Sequence, residues 1–116
     1  MTSAARLFDD LDSSERDRLG RVDSVLPALA ALAEEADRRA EFPMPHVATL
    51  AESGLLGLVV PERFGGLGGG LRDLVGATFA MGTACPSTAL SYFFHCSSAS
   101  RGLLALEAIE HLGRRR

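Results

Sequence analysis

The apolar positions of residues 19–36 recur at steps of three and four residues, which is the spacing of one face of an amphipathic helix. The stripe consists of Leu19, Val22, Val25, Leu26, Leu29, Leu32, Ala33 and Ala36. Asp12 and Glu15 have the spacing of a capping box, so the helix is predicted to begin there. Pro27 interrupts the stripe, and either the helix kinks at this proline or a second helix starts with it. Residues 1–11 are expected to form a flexible leader.

A short helix and a glycine-rich connector are predicted next. Phe42-Pro43-Met44-Pro45 cannot stay helical, because each proline disfavours the α conformation in the residue before it. Pro45 is placed to begin a helix over residues 46–53. The apolar run of residues 55–60, closed by Pro61, predicts an extended and buried connector. Five glycines among residues 65–70 predict backbone positions with positive φ or close approach to another surface.

The remainder of the chain predicts three further helices. The first spans residues 71–84, with a packing side formed by Leu74, Val75, Thr78, Phe79 and Met81/Gly82. Pro86 ends it, a fourth helix begins at about residue 87, and a last one spans residues 103–112. The fourth helix carries apolar residues around its whole circumference, a distribution that predicts burial on all sides. Because four or five short helices are too small to enclose the fourth helix on all sides, we expect another surface to cover it.

The predicted class is all-α, a small orthogonal bundle of four to five helices, because the one strand-like run has no partner strand. A chain of 116 residues is one domain. A net charge of −3, with no basic block larger than Arg114-Arg115-Arg116, argues against a nucleic-acid surface. The first ten residues lack a signal-peptide core, and no apolar run reaches the length of a membrane span. A cytoplasmic location is therefore the default expectation.

The residues alone indicate no self-contained active site. Cys85 and Cys96 are predicted to be reduced core residues, and the three histidines lack the spacing of a metal site. His46 is expected to be exposed in the first turn of its helix, and His95 to be a hydrogen-bonded core residue. No serine stands in G-x-S-x-G, which disfavours a hydrolase. The glycine loop matches neither the dinucleotide nor the P-loop pattern, so a structural role is favoured over phosphate binding.

Several motifs, taken in order, resemble those of a known family. A helix ending in L-x-x-x-G-L-L-G-L is followed by V-P-E-x-F-G-G-x-G, which includes the VPERFGG block. Phe42-Pro43 precedes this helix, and Cys85-Pro86-Ser87-Thr88-Ala89 lies downstream. This order of motifs, over residues 25 to 106, resembles the N-terminal helical domain of the acyl-CoA dehydrogenase family. Residues 12–116 are accordingly predicted to form that domain.

The resemblance implies a reaction class but assigns no catalytic residue here. Intact acyl-CoA dehydrogenases continue into a β-sandwich-like middle domain and a C-terminal helical bundle, bind FAD between the two, and are usually homo-oligomers. Their catalytic glutamate lies in the C-terminal half, and those segments have no counterpart in the 116 residues. The expectation is therefore a fragment or truncated product that binds no FAD alone and is inactive alone. No catalytic, cofactor-binding or metal-binding residue is assigned.

The resemblance does nominate three residues that face a substrate. In the family, the helix after the Cys-x-x-x-Ala segment forms a wall against the acyl chain of acyl-CoA. The matching face here consists of Ala89, Phe93 and Ser97, at i, i+4 and i+8. His95 and Ser97-Ser98 also resemble flavin-dependent monooxygenases of the same fold, which oxidise other substrates. A non-catalytic helical module that docks onto a missing-domain partner or onto itself is the remaining alternative, and a small self-sufficient enzyme is disfavoured.

Overall fold

A computed structural model describes residues 4–115, apart from the side chain of Ala5. Four α-helices form the domain: α1 (Ser13–Arg39), α2 (Pro45–Glu52), α3 (Leu71–Ala84) and α4 (Pro86–Arg114). Three 3-10 turns accompany them, at Ala4–Leu7, Leu55–Gly57 and Glu62–Phe64. The described residues contain no strand, and the all-α class is confirmed.

Helix α1 begins where the sequence predicts. The Asp12 carboxylate accepts a hydrogen bond from the Glu15 N–H at 2.7 Å, and Glu15 accepts one from the Asp12 N–H at 3.2 Å, which completes the capping box. Pro27 lies inside one continuous helix, so the alternative of a second helix starting at this residue is wrong. The helix ends at Arg39, and the left-handed conformation of the next residue, Ala40 (φ 53°), turns the chain towards α2.

Helix α3 is the centre of the packing, because it contacts both α1 and α4. Gly76 brings α1 close to α3, since a methyl group at this position would stand 3.1 Å from Leu19 Cδ2. Beside this contact the buried Asp73 carboxylate accepts hydrogen bonds from Arg18 Nε (2.8 Å) and from the Gly70 N–H (2.9 Å). The buried apolar core consists of Ala4, Leu11, Leu19, Val22, Val25, Leu26, Leu29, Leu50, Leu55, Leu58, Leu74, Ala77, Ala80, Met81, Ala84, Cys85, Ala89, Tyr92 and Cys96.

The connector between α2 and α3 is not extended, so that prediction is wrong. It forms two 3-10 turns, and only Leu55 and Leu58 of its apolar run are buried. The glycine prediction is confirmed for Gly65, Gly66, Gly68 and Gly69 and is wrong for Gly70, which has a negative φ and no atom within 4 Å of the position of a Cβ. Gly65 has φ 87°, and a methyl group on Gly66 would stand 2.1 Å from the Val60 carbonyl oxygen. The loop therefore folds back against its own apolar run instead of passing through the core as a strand.

The second half of the chain differs from the prediction in two respects. The fourth and last predicted helices are one helix, α4, because no proline interrupts residues 87–114 and the exposed Gly102 is accommodated. The packing side of α3 is confirmed for Leu74 and Met81, which are buried, and wrong for Val75 and Phe79, which are 44% and 47% exposed. These two side chains point away from the core and contribute to the surface described below.

The segment ahead of α1 has local structure where it is described. The 3-10 turn Ala4–Leu7 packs against α1 and α3, and both Ala4 and Leu11 are buried. The Ala4 N–H donates a hydrogen bond to Asp23 Oδ1 at 2.8 Å. Residues 1–3 of the expected leader, and Arg116, lie outside the described residues. The flexibility of the leader and the extent of the helical domain stay predictions.

Candidate functional site

Helix α4 presents one face to the core. Thr88, Ala89, Tyr92 and Cys96 are buried, and the Tyr92 hydroxyl donates a hydrogen bond to the Leu55 carbonyl at 2.6 Å. Burial raises the pKa of Tyr92, so the hydroxyl remains a donor. Burial likewise raises the pKa of Cys96, and Cys85 and Cys96 are both buried free thiols, as predicted. This face anchors α4 to the connector after α2.

The opposite face of α4 is apolar and open. Leu90, Phe93 and Phe94 are 58%, 40% and 60% exposed, and the two phenylalanine rings stack edge to face with centroids 6.1 Å apart. The prediction of burial on all sides is therefore wrong for the described chain. The associated expectation, that these helices do not themselves enclose Phe93 and its neighbours, is confirmed.

Exposed apolar side chains lie on both α3 and α4, which contact each other. Gly82 and Ala89 face each other across the two helices, since a methyl group on Gly82 would stand 4.0 Å from Ala89 Cβ. Val75 and Phe79 lie within about 60° of Gly82 around α3, and Phe93 lies about 40° from Ala89 around α4. Leu90 and Phe94 lie further round α4, about 100° and 140° from Ala89, on its solvent-exposed side. We call the exposed apolar side chains of the two helices the outer face, and it consists of Val75, Phe79, Leu90, Phe93 and Phe94.

The three residues nominated as substrate-facing lie in one row along α4 with different environments. Ala89 is buried, Phe93 belongs to the outer face, and Ser97 is half-buried. The row therefore begins under α3 and emerges onto the open surface. Their role towards a substrate stays a prediction.

An apolar cleft of about 210 Å³ lies between α2, the connector and α4. Its walls are formed by Phe42, Val47, Leu50, Leu56, Thr88, Ser91, Tyr92 and His95. His95 is exposed, so its placement in the core is wrong, but its predicted hydrogen bond exists: Nε2 donates to the Leu56 carbonyl at 2.7 Å. Two of the polar groups on the walls, the Tyr92 hydroxyl and the His95 ring, thus hold α4 to the connector.

His46 lies behind this cleft, and its predicted exposure is wrong. The side chain is 1% exposed, and Nδ1 is 2.7 Å from the hydroxyl of Thr88. Burial lowers the pKa of His46, although the nearby carbonyls of Leu29 and Ala28 oppose this shift. Nε2 is buried with no hydrogen-bond partner among the described residues. The i, i+4 relation of His46 to the buried Leu50 is the sequence signal that indicates its inward face.

The glycine loop does not fit the pyrophosphate of a flavin. The N–H groups of residues 66–69 already donate to the carbonyls of Pro61, Gly57, Val60 and Leu58, at 2.7–3.2 Å. The Gly70 N–H donates to the Asp73 carboxylate, whose negative charge opposes a phosphate there. A phosphate-binding loop needs free amides, so the structural interpretation of these glycines is confirmed.

The described residues also exclude two other kinds of site. Among residues 4–115, no group of three or more His, Cys, Asp or Glu side chains could hold a metal ion. No helix in that part of the chain combines the length and the apolar character needed to cross a bilayer. The outer face and the apolar cleft are the two candidate functional surfaces of the described residues.

An open apolar face of this kind marks a surface that another protein segment or an apolar ligand covers. Residues 23–112 match the model of the family "Acyl-CoA dehydrogenase, N-terminal domain". The chain therefore belongs to the family of acyl-CoA dehydrogenase N-terminal domains, as the motifs around VPERFGG predicted.

The curated relatives are named as enzymes of more than one reaction class. The chain is 42% identical over 64 residues to a probable acyl-CoA dehydrogenase, YngJ, of Bacillus subtilis (strain 168), covering 55% of this chain and 17% of that protein. It is 36% identical over 85 residues to an acryloyl-CoA reductase (NADH) of Anaerotignum propionicum, covering 73% and 20%. It is 33% identical over 88 residues to the oxygenase component of an FADH(2)-dependent resorcinol hydroxylase of Rhizobium sp. (strain MTP-10005), covering 76% and 21%.

This chain spans about a fifth of the length of each of these relatives. No solved structure matches the chain. The family and the all-α fold are thus established, and the reaction, substrate and partners are matters of proposal.

Proposed function

We propose that this chain acts as the N-terminal helical domain of an FAD-dependent oxidoreductase of the acyl-CoA dehydrogenase type, which oxidises the α,β C–C bond of an acyl-CoA. In this role the domain binds no flavin itself, and its outer face packs against the flavin-binding part of the enzyme. Phe93 and Ser97 line the side of the pocket that receives the acyl chain, and Ala89, which is buried under α3, begins the same row. FAD supplies the hydride acceptor when it is bound elsewhere in the enzyme.

The outer face is the observation that supports this proposal. Three large apolar side chains of α4 are exposed in one region, and two more follow on α3. An exposed cluster of this kind marks a surface that another protein segment or an apolar ligand covers. The occupied amides of the glycine loop agree with a domain that leaves flavin binding to other segments.

A flavin-dependent monooxygenase is the second candidate. One relative is named as an FADH(2)-dependent hydroxylase and matches 76% of this chain, a larger share than the probable acyl-CoA dehydrogenase matches. Both candidates use this domain as a cover over the flavin, and they differ in the substrate that reaches it. A free-standing docking module is the third candidate and requires no flavin.

A domain exchange tests the first candidate. This chain replaces the matched segment of the Bacillus subtilis relative, and the purified chimera is examined for FAD content and for anaerobic reduction of the flavin by a short, a medium and a long saturated acyl-CoA. We expect stoichiometric FAD and bleaching by at least one of the three. A chimera that holds FAD but is bleached by none of the three contradicts the first candidate.

Two serine substitutions in the chimera distinguish an effect on the acyl-chain pocket from a general loss of structure. Ser97→Phe enlarges the row of Ala89 and Phe93, and we expect it to shift the preference towards shorter acyl chains. Ser98→Phe places the same side chain about 100° further around α4 and should leave the preference unchanged. If the chimera binds FAD and neither substitution alters its chain-length preference, the assignment of Ala89, Phe93 and Ser97 is contradicted. The same holds if both substitutions alter it.

A further inference from the structure

The apolar cleft between α2 and α4 is separate from the outer face. Its α4 wall is formed by Thr88, Ser91, Tyr92 and His95, which stand at i, i+3, i+4 and i+7 on one side of the helix. Ser91 lies about 160° around α4 from Phe93, so the cleft opens on a different side of the helix from the row proposed to face an acyl chain. A ligand of the cleft is therefore distinct from the acyl chain of the proposed function.

The cleft exists because a turn, rather than direct packing, joins α2 to α4. Helix α2 packs against α1 and against the 3-10 turn Leu55–Gly57, and the same turn packs against α4. Val47 and Leu50 face the gap from α2, and Leu56 of the turn and Phe42 ahead of α2 complete its walls. Apolar side chains thus surround about 210 Å³ that no side chain of the described residues fills.

The buried polar groups of the cleft already have partners. The Tyr92 hydroxyl donates to the Leu55 carbonyl at 2.6 Å, and the Thr88 hydroxyl is 2.7 Å from His46 Nδ1. An ordered water needs two to four polar partners, so water in this space is held weakly. Displacing weakly held water with an apolar group increases affinity. The interior of the cleft therefore favours an apolar ligand over a polar one.

The walls also limit the charge and the size of a ligand. Among the described residues, no Arg, Asp or Glu side chain lines the cleft, and burying an unpaired charge is costly. A cavity of about 150 Å³ holds a benzene ring, so the volume of about 210 Å³ accepts one ring with a small substituent. The same volume is too small for a partner helix, which needs a groove along several turns.

We propose that this cleft is a binding site for a small, uncharged molecule built on a single apolar ring. The ring packs between Leu50 of α2 and Tyr92 of α4. The hydroxyl of Ser91, on the exposed rim, makes no hydrogen bond among the described residues and is free to bond one neutral polar substituent at the mouth. The bound ring supplies the packing between α2 and α4 that the described residues lack.

Fluorine NMR on the full chain tests the chemical class of the ligand. At about pH 8, where an unperturbed histidine is neutral, we expect 4-fluorotoluene to bind saturably with a Kd below about 1 mM. The matched probe 4-fluorobenzoate has the same ring and a carboxylate, and it should bind at least about tenfold more weakly. Equal binding of the two probes, or no saturable binding of 4-fluorotoluene, overturns the inference.

Two substitutions of exposed serines on α4 test the location of the site. Ser91→Phe fills the mouth of the cleft, and we expect it to weaken the binding of 4-fluorotoluene at least about tenfold. Ser98→Phe is the matched control, because it adds the same ring on nearly the same side of α4 about 10 Å further along the helix. It should leave the Kd within about twofold. A loss of affinity in both variants, or in neither, contradicts the location.

Tyr92 provides an independent reporter, because it is the only tyrosine of the chain. We expect NOEs between the methyl group of 4-fluorotoluene and the ring protons of Tyr92, and a ligand-dependent rise in Tm that Ser91→Phe abolishes. Binding without these NOEs overturns the assignment to the cleft. A chain that sediments as a dimer and excludes the probe also overturns it, in favour of a side chain from a second copy.

Discussion

Side chains are buried and paired at the contact between α1 and α3. On the outward side of α4 they are exposed. At the α1–α3 contact, Asp73 is 1% exposed and satisfied by Arg18 and by the Gly70 N–H, and Gly76 admits Leu19 at close range. On the outward side of α4, large apolar side chains face solvent and Arg101 has no partner in the described residues. The first region is complete within the described residues, and the proposed function places another surface over the second.

The largest expected effect comes from breaking the completed region. Asp73→Ala removes the partner of Arg18 and the acceptor of the Gly70 N–H, and the hydrogen bond to Asp73 is what raises the pKa of Arg18. We expect the free energy of unfolding, measured with urea, to fall by about 3 kcal/mol. The exposed Asp9→Ala is the control, with a change within about 0.5 kcal/mol. A loss below about 1 kcal/mol for Asp73→Ala contradicts the importance of this network.

A smaller loss is expected where α4 is anchored to the connector. Tyr92→Phe leaves the Leu55 carbonyl without its donor in a buried position, which costs about 1–2 kcal/mol of unfolding free energy. Phe94→Leu, on the opposite side of the same helix, should change stability by less than about 0.5 kcal/mol. Equal effects of the two substitutions would mean that the two sides of α4 are not energetically different.

A pH-dependent effect is expected at His46. Burial lowers its pKa in the folded chain, so the unfolded chain, with a histidine pKa of about 6.5, takes up a proton first as the pH falls. The stability that neutral His46 contributes is complete above about pH 6.5 and is lost below it, through the lowered folded-state pKa. Thermal unfolding at about pH 7.5 and pH 5.5 should therefore show a smaller decrease for His46→Leu than for the wild type. The exposed His111→Gln should behave like the wild type in this comparison.

The smallest effect on stability is expected on the outer face. The double substitution Leu90→Ser and Phe94→Ser should leave the unfolding free energy within about 0.5 kcal/mol, because both side chains face solvent. It should also lower the fluorescence of a hydrophobic dye bound to the wild-type chain. A wild-type chain that binds no dye would show that the outer face is already covered in solution.

The sequence was most informative where a local rule decides the structure. The capping box at Asp12 and Glu15 and the bounds of the third helix at Leu71 and Ala84 were predicted correctly, because caps, glycine and proline act within one turn. The glycine loop was also interpreted correctly, since positive φ and close approach leave few other residues possible.

The errors concern positions where tertiary packing overrides the local pattern. His46 looked exposed beside Pro45, but α2 turns it inward to Thr88. Val75 and Phe79 looked like core residues because they are large and apolar, and their exposure depends on what else covers α3. The circumference of α4 indicated that these helices would not enclose it by themselves, and it could not indicate which side the chain leaves open. One apolar pattern therefore describes both core and interface.

Helices α3 and α4 are joined by a single buried residue, Cys85, in an extended conformation (φ −154°, ψ 98°). One extended residue leaves no slack, so α4 cannot change its angle to α3 without drawing this thiol out of the interior. Under the proposed function, a surface that docks on the near half of α4 would hold this thiol and the α3–α4 contact in place, so docking would also stabilise the domain against unfolding.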